Sequence, residues 1–140
     1  MIINLYLFWG GLQDLLKRKI RNSYLYLGGI GGVVYKFVSM AADISILKDW
    51  FWSLVPGMLL LLIAKVTREK IGYGDGWVVL ILGNFLSITE VWYVLQMAMF
   101  IVITVSLILL CSKKVTAEYQ IPFLPFLWVA HTFLWGVNYV

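Results

Sequence analysis

Six apolar stretches, separated by short polar ones, make up almost the whole chain: Met1–Leu16, Tyr24–Met40, Trp50–Val66, Gly76–Ile88, Val91–Cys111 and Ile121–Val140. Each predicts a helix that buries its apolar surface in lipid or against a neighbour. The fifth is a full-length span with almost no polar residue. The fourth has only 13 residues, about 20 Å at 1.5 Å per residue, against a hydrocarbon core of about 30 Å. It therefore starts below the membrane surface or where the bilayer thins, and either way Asp75 at its head is shielded. Gly28-Gly29 and Gly31-Gly32 suit close helix packing in lipid. Lys36 is expected to snorkel to the nearer interface, Trp50 to mark an interfacial belt, and Pro56 to kink the third helix.

Composition turns these helices into membrane spans. Hydrophobic residues are 62% of the chain and charged residues 13%, against about 45–50% and about 25% in soluble domains. The predicted fold is all-α: a polytopic integral membrane protein of about six transmembrane helices, a single domain over residues 1–140. The immediate apolar N-terminus reads as a retained first helix rather than a cleaved signal. Cys111 and His131 are the only cysteine and histidine, which argues against a thiolate or histidine metal centre. No cofactor is expected.

The 11 Lys and Arg outnumber the 7 Asp and Glu, yet they cluster in short loops, so no nucleic-acid partner is inferred. Lys17, Arg18, Lys19, Arg21, Lys65, Arg68, Lys70, Lys113 and Lys114 follow spans 1, 3 and 5, whereas Asp43, Lys48, Asp49 and Glu90 lie on the other side. The positive-inside rule puts the basic loops in the cytoplasm and both termini outside. Asp14 and Asp75 then share the cytoplasmic face.

Asp75 belongs to a glycine-rich turn, Ile71-Gly72-Tyr73-Gly74-Asp75-Gly76. Glycines permit positive φ and close backbone approach. A carboxylate in apolar surroundings costs several kcal/mol unless something relieves it. One reading is that Asp75 caps the following helix and that each Asp pairs with Lys17 or Lys70. The other brings the two together. Close carboxylates share one proton; one then activates water as a base while the other protonates a peptide carbonyl. His131 reads as packed or interfacial, Cys111 as an inert apolar residue, and Glu118 as a solvated loop residue.

Gly72-Tyr73-Gly74-Asp75 resembles the GxGD motif of membrane aspartic proteases. Asp14, the basic loop and Ile20-Arg21-Asn22 resemble the first motif of the type IV prepilin peptidases, in which Ile-Pro-Asn precedes an apolar helix. Ile121-Pro122-Phe123-Leu124-Pro125-Phe126 resembles the Pro-Phe-Gly-Pro-Phe stretch that opens their last span. The resemblance covers essentially the whole chain and is greatest to the minimal prepilin and preflagellin peptidases, which lack the zinc module of larger, N-methylating members. Arg21, Trp77 and Leu124 depart from the family pattern, standing where Pro, Lys and Gly are usual.

The resemblance implies an aspartic endopeptidase in the cytoplasmic membrane, its active site facing the cytoplasm, with Asp14 and Asp75 as the catalytic pair. Gly72, Tyr73, Gly74 and Gly76 would form the loop that receives substrate. The implied partners are prepilin-like proteins, cut after a glycine between a short basic leader and an apolar helix, and the lipid bilayer. The rival from another class is a small transporter or scaffold subunit binding a cation through Asp14 and Asp75. A carrier, however, holds such groups near the midplane.

Overall fold

The computed structural model describes residues 2–17, 20–42, 46–67, 72–112 and 121–138. They form six helices and, among the described residues, no strand: α1 (Ile2–Lys17), α2 (Asn22–Ala42), α3 (Ile46–Val66), α4 (Tyr73–Phe85), α5 (Ile88–Cys111) and α6 (Leu124–Asn138). Each apolar stretch has become one helix. Pro56 lies inside α3, which continues through it.

Three boundaries differ from expectation. α3 begins at Ile46, inside the stretch read as a loop to Asp49. α4 begins at Tyr73 and ends at Phe85, so Tyr73, Gly74 and Asp75 are its first turn rather than a turn before it. Thr89 and Glu90 open α5 instead of closing α4. The cause there is a capping box: Ser87 Oγ accepts from Glu90 N at 3.4 Å, and Glu90 Oε2 accepts from Ser87 N at 2.8 Å.

The chain divides into two compact units, residues 19–92 and residues 1–18 with 93–140. In the first, α4 is the core. Gly76, Val78, Val79, Ile81, Leu82, Gly83 and Asn84 are all buried, so this short helix is covered nearly all round, as its unbroken apolar sequence requires.

Small residues set the antiparallel contact of α3 and α4. A Cβ on Gly83 would lie 2.4 Å from Ser53 O, one on Gly57 2.5 Å from Leu80 Cα, and one on Gly76 2.8 Å from Leu61 Cδ2. At this range Ser53 Oγ reaches Gly83 O at 2.6 Å, alongside its own-turn acceptor Trp50 O at 2.8 Å. Asn84 ties α3 and α4 again, accepting from Trp50 Nε1 at 3.0 Å while donating to Leu80 O at 3.2 Å. Gly32 brings α2 against the same Asn84, where a Cβ would lie 2.9 Å from Asn84 Cβ. Lys36 is only 7% exposed, more covered than snorkelling predicts.

In the other unit α1 and α6 pack antiparallel. Asn4 Oδ1 meets His131 Nδ1 at 2.8 Å and Thr132 Oγ1 at 3.2 Å. Phe8 and Trp128 stack edge to face, centroids 5.2 Å apart. Gly11 faces Pro125, and Leu7, Leu124, Leu127 and Ala130 are fully buried. His131 is thus a packed residue with an amide partner, as its surroundings in sequence suggest.

Among the described residues, two helices are long and apolar enough to cross a membrane, Ile46–Val66 and Ile88–Cys111; Leu124–Val137 is a shorter apolar helix. Their apolar windows are only 17% and 11% buried inside the protein. The core helix of a soluble protein would be mostly covered, so these two helices fit a lipid environment.

Candidate active site

Asp75 stands in the first turn of α4. Gly72 is the N-cap, at φ −61° and ψ 127°, and has no side chain of its own to cap the helix. Asp75 is therefore not the N-cap residue: it is the third helical residue, its N–H bonded to Gly72 O at 3.1 Å. No described glycine has a φ in the left-handed range, so backbone freedom is not the reason for the glycines.

Space is the reason, and it differs at each position. A Cβ on Gly72 would lie 3.0 Å from Asp75 Oδ2, so the carboxylate folds back over the bare N-cap. On Gly74 it would lie 2.6 Å from Ile20 Cδ1. The Ile of the first motif is thereby seated on the GxGD turn. On Gly76 it would meet Leu61 on α3, including its backbone N at 3.1 Å. Gly72 and Tyr73 are the exposed members of the set, Tyr73 at 37%. Beyond the turn, an apolar groove of about 440 Å³ separates α2 from α4, with Asn22 and Trp77 at one end and Val33 and Asn84 at the other.

Asp14 is buried in α1, at 8% exposure. Its Oδ2 accepts from Leu124 N at 3.3 Å. The accounting at the head of α6 explains this contact. Phe126 and Leu127 donate to Phe123 O, Pro125 has no N–H, and Leu124 keeps a donor with no partner inside the helix. Asp14 takes that donor. The first and third sequence motifs therefore meet at one hydrogen bond, 110 residues apart in sequence. The separate-ion-pair reading falls on the Lys17 side chain and on Lys70, both outside what the structure describes. Lys70, Arg68, Arg18, Lys19, Lys113, Lys114, Ile71 and Glu118 lie outside the described residues.

Some residues at this site carried no expectation from sequence. Gln13 Oε1, next to Asp14, is buried without a hydrogen-bond partner among the described residues. Ser53 and Asn84, which hold α4 in place, were hidden in apolar runs. A polar side chain inside such a run was the available signal.

The described residues are thus all-helical, with one carboxylate in the first turn of α4, another held by the head of α6, and two helices that fit a lipid environment. Residues 1–111, which include both aspartates, match the type IV leader peptidase family. The chain belongs to that family, whose members are proteases of the aspartic type. No curated protein and no solved structure matches it.

Proposed function

We propose that the protein is an integral membrane endopeptidase of six spans that removes the short basic leader of prepilin-like proteins. Cleavage follows a glycine at the cytoplasmic membrane face, and Asp14 and Asp75 are the catalytic pair. The observation that carries this reading is the family match across residues 1–111, which contains both aspartates and the Gly72–Asp75 motif.

In this mechanism the pair holds one proton. The ionised carboxylate removes a proton from water as it attacks the scissile carbonyl, and the protonated one donates to the carbonyl oxygen. Collapse of the tetrahedral species breaks the C–N bond, and the leaving amine takes a proton from the pair. No metal or nucleophilic side chain is required. A glycine at the junction keeps the cut segment out of a helix, where its carbonyl would be shielded.

The test is cleavage of a co-expressed prepilin-type substrate, read by mass spectrometry as a new N-terminus after the glycine. Asp14→Asn and Asp75→Asn are each expected to abolish it, since losing one member of a unit costs nearly all of its effect. Near-normal cleavage by either variant removes that residue from the site.

A further inference from the structure

We propose that Gly11 and the leading turn of α6, Pro122–Pro125, are positioning elements for Asp14: the bare Gly11 surface sets the α1–α6 separation at which Leu124 N–H grips the carboxylate. This rests on the reading of Asp14 as catalytic and extends it to residues outside the pair.

The geometry is tight on one side and marginal on the other. A Cβ on Gly11 would sit 3.3 Å from Pro125 Cα and 3.4 Å from Pro125 N, so the two backbones are nearly in contact one turn before Asp14. The hydrogen bond that this approach permits is 3.3 Å long, just past the usual 2.7–3.2 Å range. Any side chain at Gly11 pushes the helices apart where the bond has no slack.

Gripping one oxygen restricts the rotation of the carboxylate about χ2, an otherwise broad torsion. The carboxylate then does not have to be oriented at the moment of reaction. Pro125 contributes by lacking an N–H that would compete for the carboxylate. The rest of the helix pair is pinned elsewhere, by Asn4 against His131 and Thr132. That pin lies 10 residues from Asp14 along α1, about 15 Å.

The separation of the two pins provides the control. Gly11→Ala requires a shift of a few tenths of an ångström and Gly11→Val more. Asn4→Leu loosens the same helix pair at its far end. The measurements use the full chain in lipid, with a peptide of basic leader, glycine and apolar helix as substrate, and amide hydrogen exchange at Leu124. Gly11→Val is expected to lower kcat about 100-fold, the scale of a 1 Å misplacement, with KM little changed and faster exchange at Leu124. Gly11→Ala is expected to fall between it and wild type. Asn4→Leu is expected to lower thermal stability comparably while keeping kcat and Leu124 protection. Equal kcat losses for Gly11→Val and Asn4→Leu, or unchanged Leu124 protection in Gly11→Val, would overturn the proposal. Wild-type cleavage by Asp14→Asn would instead sink the catalytic reading beneath it, a result obtained without any Gly11 variant.

Discussion

Three glycines around Asp75 look alike in sequence, yet alanine at each should fail in a different way. Gly76→Ala puts a Cβ 2.8 Å from Leu61 Cδ2 and 3.1 Å from Leu61 N. The backbone atom cannot turn aside, so α3 and α4 must separate. Such overpacking costs about 1–3 kcal/mol, partly offset by the roughly 1 kcal/mol that alanine gains over glycine in a helix. Gly74→Ala meets only the side chain of Ile20, which can change rotamer, so its effect on stability is expected to be near zero. Gly72→Ala is an N-cap change at φ −61° and ψ 127°, a conformation open to any residue, costing up to about 1 kcal/mol. Its Cβ, however, sits 3.0 Å from Asp75 Oδ2 and displaces the carboxylate. Thermal unfolding in micelles and leader cleavage, measured on all three variants, should therefore separate. Gly76→Ala lowers stability most, and Gly72→Ala lowers kcat most for its stability loss. Full cleavage activity in Gly72→Ala, or Gly76→Ala as the most stable of the three, would refute this assignment of roles.

Two further outcomes are expected. Ser87→Ala removes a capping-box hydroxyl at the head of α5 and should cost about 1 kcal/mol of stability, with no effect on cleavage; a large loss of cleavage would place Ser87 nearer the chemistry than the fold suggests. Single cysteines at Arg21 and Lys65 in a Cys111→Ser background should resist an impermeant thiol reagent added to intact cells, while one at Lys48 reacts; the reverse pattern would invert the topology inferred from the basic loops.

The helices were legible because their signal is local: apolar runs of defined length bounded by charge. The head of α4 was not. Glycines at 72, 74 and 76 argue for a turn by propensity, and what overrides them is Gly76 packed on Leu61 and Gly83 on Ser53, contacts that no periodicity reports. The start of α5 could have been read, since Ser87-Ile88-Thr89-Glu90 is a capping-box sequence. Asp14 and Asp75 stood out as carboxylates among apolar residues. The partner of Asp14 did not, because Leu124 contributes a backbone N–H 110 residues away, and a backbone donor carries no residue identity. The Ile121–Phe126 motif marked the right place without indicating what it does there.

Both aspartates have found the same kind of support, and it bears on what they can bind. Asp75 lies in the first turn of α4, and Asp14 meets the first turn of α6. The head of a helix carries about half a positive charge, spread over its free N–H groups. In an apolar protein this offsets the cost of a carboxylate without importing a lysine into lipid. It also disfavours the rival function. A transported cation at either aspartate would sit against the same partial positive charge that stabilises the carboxylate, and at Asp14 it would find an N–H donor where hard cations need oxygen ligands. Proton handling has no such conflict, because a carboxylate can accept an amide hydrogen bond at one oxygen and exchange a proton at the other. Helix-head support therefore fits acid–base chemistry on a peptide bond better than it fits carriage of a metal ion.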